Sequence, residues 1–132
     1  MARASHLASL AQVFAALSDP TRLSLLNLID GREVCVCYFV DVLGQSQPKI
    51  SRHLAYLRRA GLVSARREGK WMHYRLEIPA APETAALLEC TLAALRADRA
   101  LQADRARLDK ACCAPSRLVS LNGAPKPVKA AR

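Results

Sequence analysis

The sequence predicts a mainly α fold with a two-stranded β wing, working as a dimer, and three observations carry that prediction. Ser18-Asp19-Pro20 separates two apolar helical stretches, and Ser46 opens a later helix with one apolar and one hydrogen-bonding face. Two β-prone runs, 62–67 and 71–76, flank the turn-like Glu68-Gly69-Lys70. Helix, turn, helix and then a basic-tipped ribbon is the winged helix-turn-helix order. A chain of 132 residues has room for one compact domain and a tail, which excludes a two-domain enzyme. Its hydrophobic content of 52% suffices for a core, since a domain of this size buries roughly two-thirds of the surface its unfolded chain exposes.

Taken in order, Leu7, Leu10, Phe14 and Leu17 recur at spacings of three and four, the mark of an amphipathic helix whose stripe packs against a partner helix. Asp19 caps the next helix and Pro20 takes its first position, where no N–H is needed. That helix runs over 20–30, carries Leu25, Leu26, Leu28 and Ile29 around much of its girth, and stops at Gly31. A short mixed run at 34–43 is closed by Gly44. Ser46 then caps a helix with Ile50, Leu54 and Leu57 on its inner stripe. Its other face bears Gln47, Lys49, Ser51, Arg52, His53 and Tyr56, which with Ser46 can donate to phosphates or reach base edges. This is a recognition-helix pattern, the plain alternative being an ordinary solvated face.

Gly61 ends that helix, and the hairpin projects Arg66, Arg67 and Lys70 near its turn, placed to hold phosphates while the helix lies in the major groove. Alternation sets Met72, Tyr74 and Leu76 on one packing face, with Trp71 open to either packing or base contact. After Pro79 and Pro82, a run to about Ala111 is rich in strong helix formers and free of Gly and Pro, so one long helix is expected. Its Leu88, Leu92 and Leu95 stripe is assigned to a symmetric dimer interface. Beyond Cys112, Pro115, Gly123, Pro125 and Pro127 interrupt regular structure among basic residues. Residues 1–111 are thus expected to bind DNA and dimerise, and residues 112–132 to hold a cysteine pair and a flexible basic tail.

Lys and Arg number 20 against 11 Asp and Glu, a net charge of +9 that points to a polyanionic partner, nucleic acid ahead of an anionic membrane surface. Asp41 breaks the longest apolar candidate well short of the ~18 residues a spanning helix needs. Ser9 and Gln12 likewise interrupt any signal-like centre, so a cytoplasmic protein with no membrane partner is expected.

The five cysteines, Cys35, Cys37, Cys90 and the adjacent Cys112 and Cys113, form no spaced disulfide framework, and in a reducing compartment such clusters suggest metal or redox chemistry. Thiolates one residue apart point some 200° apart on a regular helix at ~100° per residue, but share a face in an extended or unwound segment. Chelation of a soft ion by Cys35 and Cys37 is therefore expected to distort their turn, and the strain lies immediately before the recognition helix. Cys112 and Cys113 stand near Arg107 and Lys110, whose charge favours thiolate, while Cys90 reads as a packing residue on an apolar stretch.

Four segments together resemble the ArsR/SmtB family of metal-responsive winged-helix repressors over about half of the chain: Ala16-Leu17-Ser18-Asp19-Pro20-Thr21-Arg22, Glu33-Val34-Cys35-Val36-Cys37, Ser46-Gln47-Pro48-Lys49-Ile50-Ser51-Arg52-His53-Leu54, and Arg66-Arg67-Glu68-Gly69-Lys70-Trp71. The resemblance implies a dimeric repressor on a palindromic operator, not an enzyme, that leaves its DNA when a thiophilic ion binds. It is strongest to arsenic-sensing members, whose three thiolates hold trivalent arsenic. The third of those positions is Val40 here, and Tyr38 replaces a usual acidic residue. A small thiol, an organic substituent on the arsenic, or a cysteine of the C-terminal arm of either subunit could complete the set. The inducers implied are arsenite or methylarsenite, with antimony(III) as a further candidate, bound through Cys35, Cys37, Cys112 and Cys113. The family's zinc site has no counterpart, because no histidine follows Tyr74 and His6, His53 and His73 are not spaced as ligands. Lead and cadmium stay open. So does a thiol-redox switch on the same fold; a thiol oxidoreductase or a metal-sequestering protein lacks support, since no Cys-x-x-Cys occurs.

Overall fold

The computed structural model describes residues 2–113 and 124–130, excluding the side chains of residues 2–5 and 112–113. Helix α1 (Ala2–Leu17) leads into α2 (Pro20–Ile29), the short strand β1 (Arg32–Cys35), α3 (Val36–Leu43) and α4 (Gln47–Arg59). The hairpin β2 (Val63–Glu68) and β3 (Trp71–Leu76) follows, then α5 (Pro82–Arg96), α6 (Arg99–Cys113) and a closing strand β4 (Val128–Lys129). All pairings in the sheet are antiparallel, in the order β2-β3-β1-β4.

Local chemistry sets the boundaries. The Asp19 carboxylate accepts from the Arg22 N–H at 3.0 Å, and Pro20 occupies the first turn of α2. Gly44, at φ 64°, closes α3 by donating its N–H to the Val40 carbonyl at 3.0 Å. The Ser46 hydroxyl accepts from the Lys49 N–H, so that α4 starts at Gln47, three residues after the Gly44 cap of α3. In the hairpin Glu68 faces Trp71, leaving Gly69 and Lys70 as a two-residue loop whose first member takes φ 59°. The core gathers Leu25, Leu26, Phe39, Ile50, Leu54 and Leu92, all fully buried. Each such side chain is worth roughly 1.5–3 kcal/mol in transfer from water.

The expected single C-terminal helix is two helices. Asp98 breaks it: its carboxylate accepts from the Leu101 N–H at 3.0 Å and its carbonyl from the Gln102 N–H at 3.1 Å, so it caps a new helix where continuation was expected. Tertiary bonds hold α6 folded back on α2. The buried Asn27 side chain donates to the Leu101 carbonyl at 2.8 Å and accepts from Gln102, while Arg105 donates to the carbonyls of Asn27 and Asp30. Propensity alone could not reveal this, because the partners come from a helix more than seventy residues earlier.

Three further expectations are corrected. Leu88, Leu92 and Leu95 are buried inside the subunit, so that stripe is not a free dimer face; on α1, Leu7 and Phe14 are exposed, at 54% and 52%, as are Ile78 and Val128 elsewhere. Cys90, expected to pack, is exposed. The C-terminal segment is not irregular throughout: Val128 pairs with Glu33 and Lys129 with Arg32, the Ala130 N–H donates to the Gly31 carbonyl, and the Tyr38 hydroxyl donates to the Ala124 carbonyl. An otherwise open edge of β1 is thereby covered.

Leu108 of α6 is fully buried. Leu108→Ala should therefore destabilise the fold by about 2–5 kcal/mol in urea unfolding, whereas a helix running straight on from α5 would leave the substitution near neutral.

Candidate nucleic-acid interface and thiolate site

The outer face of α4 is built by its N-terminal cap. Ser46, Gln47, Lys49 and Arg52 are exposed along it and Ser51 is half-buried. His53 is turned inward instead, with Nδ1 3.3 Å from Arg22 Nη1 and 3.7 Å from the Asp19 carboxylate. Burial holds its pKa below the ordinary imidazole value, against the pull of Asp19, and the cations Arg22, Lys49 and Arg52 push the same way as burial. The neutral ring can then accept the Arg22 proton at Nδ1. Arg22 also donates to the carbonyls of Ala15 and Ala16 at the end of α1 and lies over the Tyr56 ring at 4.1 Å. It ties α1, α2 and α4 together.

On the wing, Arg67 and Lys70 are exposed and Lys70 sits over the half-buried Trp71 ring at 4.8 Å, which makes Trp71 a packing residue. Arg66 differs from the free phosphate donor that was expected. It crosses the sheet to the buried Glu33, with Nη2 2.6 Å and Nε 3.2 Å from the same carboxylate oxygen, and also reaches Glu68. Its hydrogen bond holds Glu33 below the usual carboxylate pKa despite burial. Sequence reading had no signal for this bridge, because the partners are 33 positions apart. Alternation also passed over His73, which is buried opposite Cys35 on the central strand with Nε2 3.5 Å from Glu68.

Cys35 ends β1 with φ −70° and ψ 143°, and Cys37 is the second residue of α3. At this strand-to-helix corner the thiols converge, and Cys37 Sγ donates to Cys35 Sγ at 3.2 Å. The corner, extended up to Cys35 and helical after it, already brings the two sulfurs together. The bond from Cys37, joined by the amides of Cys37, Val36 and Met72, lowers the Cys35 pKa to about 7 against burial, while the same bond and burial raise that of Cys37. Among the described residues no group of three or more His, Cys, Asp or Glu is arranged around one metal position. Cys112 and Cys113 close α6, with their side chains outside the described residues. Their backbone positions lie one turn beyond Asp109, which meets Arg32 at the start of β1 at 2.6 Å.

The family described as bacterial regulatory protein, arsR family, matches residues 19–65. The chain is 54% identical over 72 residues to an arsenical resistance operon repressor of Escherichia coli, spanning 62% of that protein and 52% of this one. To the arsenic resistance transcriptional regulator ArsR2 of Pseudomonas putida it is 42% identical over 109 residues, covering 95% of that relative and 76% of this chain. Among solved structures, the homodimeric winged helix-turn-helix domain Mb0332 of Mycobacterium bovis superposes with a TM-score of 0.60 at 31% identity, over 71% of this chain and 84% of that one. Reduced HlyU of Vibrio cholerae superposes at 0.57 and 32% identity, over 73% and 97%.

Because the folded pKa of Glu33 is depressed, its contribution to stability is complete above its ordinary value of 4.5 and is lost as pH falls through the lower folded value. Denaturation midpoints of the wild type and Glu33→Gln should accordingly converge on acidification and separate toward neutrality. Iodoacetamide labelling of Cys35 should titrate near pH 7 and shift upward in Cys37→Ala, which has no side-chain donor.

Proposed function

The chain belongs to the arsR family of bacterial regulatory proteins, winged helix-turn-helix DNA-binding regulators rather than enzymes, and from this we propose that it is a dimeric repressor released from operator DNA by trivalent arsenic. The observation that carries the inducer reading is the pair of sulfurs 3.2 Å apart, set one short helix before the DNA-facing α4. The named roles of the E. coli and P. putida relatives in arsenic resistance support it.

Capture proceeds by ligand exchange. The Cys35 sulfur attacks the arsenic of As(OH)3, a hydroxide leaves with a thiol proton as water, and the Cys37 thiol repeats the exchange, leaving both sulfurs on an arsenic that keeps one hydroxyl. The two protons released match the two waters formed. A thiol of Cys112 or Cys113 displaces the last hydroxyl, its proton leaving with that hydroxide as a third water; since both sulfurs of the corner already converge, the pull on α3 comes from this third bond. Methylarsenite, with two hydroxyls to exchange and its methyl group retained, takes one corner sulfur and one thiol of Cys112 or Cys113, each exchange releasing one water, and so makes the same link to α3; antimony(III) undergoes the same exchange as arsenite. Gly44 and Ser46 pass the displacement directly to α4.

Without inducer, two copies meet through the α1 faces bearing Leu7 and Phe14. Each α4 enters the major groove with Gln47, Lys49, Ser51 and Arg52 toward bases and phosphates, Ser46 at its mouth, and Arg67 and Lys70 of the wing on the backbone. His53 and Arg66 serve this interface by fixing α4 to α2 and the wing to β1. No helix among the described residues is long and apolar enough to cross a membrane, and the reading places the regulator in the cytoplasm with its DNA.

The test uses the dimer on a duplex from its own promoter, without oxygen and with reductant present. Arsenite or methylarsenite should release it, and replacing both Cys35 and Cys37 by Ser should abolish release while changing DNA affinity less than about threefold. Release by peroxide with no arsenical, and none by arsenite, would instead support the oxidation of this same close thiol pair.

A further inference from the structure

A cleft of about 550 Å³ opens between α4 and the start of α2, lined chiefly by Arg22, Lys49, Arg52, His53, Tyr56 and Arg59. Among the described residues no carboxylate forms an ion pair with Lys49, Arg52 or Arg59, and the nearby Asp19 faces His53. The cleft is thus strongly cationic and unneutralised. Tyr56 organises it: the guanidinium carbons of Arg22 and Arg59 lie 4.1 and 5.6 Å from its ring centre. Of the five N–H donors of Arg22, three are used, on the carbonyls of Ala15 and Ala16 and on His53. Two remain to meet a ligand.

We propose that this cleft seats one phosphodiester group of the operator backbone, held by Arg59 and the spare donors of Arg22, with Tyr56 keeping both guanidiniums in place. The inference rests on the DNA-binding reading above and adds a fixed point of register to it. Two observations favour a phosphate over a base edge. Arg22 is locked at three of its donors and stacked, so it has little freedom to reach into a groove. Arg59 is the last residue of α4, whereas in helix-turn-helix docking it is the N-terminal part of the recognition helix that meets bases.

Operator binding by the full chain, measured by fluorescence anisotropy over a salt series, separates the possibilities. Arg59→Gln should weaken binding at least tenfold near physiological salt, equally on operator and on scrambled duplex, and should flatten the log–log salt slope by about 1.8, since each of the two subunits loses one phosphate contact worth about 0.9. Arg58→Gln, one residue away but not lining the cleft, should leave the slope in place. An unchanged slope in Arg59→Gln, an equal flattening in Arg58→Gln, or a loss confined to the operator would each overturn the proposal. So would stabilisation by millimolar inorganic phosphate that needs Arg59 while duplex affinity ignores it, since that would mark a site for a small phosphate. Unaltered melting temperatures of the variants show that folding is intact. If the wild type itself bound no operator, the repressor reading would fail; if it bound with a steep salt slope that Arg59→Gln left untouched, only the seat would.

Discussion

A change of backbone conformation at Cys35 governs this molecule. Extended geometry up to that residue pairs β1 with the wing's inner strand, and helical geometry immediately after it starts α3 and so aims α4. Sulfurs that neither regular structure would bring together converge at such a corner, and the resulting hydrogen bond makes one thiol more acidic and the other less. Sulfur chemistry, wing and recognition helix share one covalent joint. A ligand acting there needs no long relay through packed side chains.

The distribution of charge follows a division of labour. Cations that hold the fold are engaged inside it: Arg66 pairs with Glu33 and Arg96 with Asp30, both carboxylates buried, while Arg22 and Arg105 donate to backbone carbonyls. Those on the outer face of α4 carry no carboxylate partner among the described residues, which leaves their charge for a polyanion. The inner pairs are architectural.

Much of this was legible before any coordinates. Caps announce themselves locally, so Asp19-Pro20, Gly44, Ser46 and Gly69 marked element ends correctly. The inner stripe of α4, being periodic, was equally plain. What escaped depended on distant partners. Asp98 stops a strongly helical run because Asn27 and the α2 carbonyls reward the return of α6, and burial of the Leu88, Leu92 and Leu95 stripe is a consequence of that same packing. Arg66 and His53 carried the right polarity for DNA contact, but Glu33, Asp19 and Arg22, brought close only by tertiary structure, give them intramolecular partners. At the thiols, the period of a helix argued against convergence and that of a strand argued for it; a junction between the two was the outcome neither period describes.

The pairing of β4 with β1 has a practical side for anyone attaching a reporter to this scaffold. A fluorescent tag placed just beyond Lys129 would hang from a strand that lies alongside the segment leading into the Cys35 corner. Its drag would act on the detector itself, and fusion at the opposite terminus would trade that for crowding at the apolar ridge of α1. The Pro79–Pro82 bend is no quieter an attachment point, because Glu83 just after it stands 3.8 Å from His6, beside that ridge.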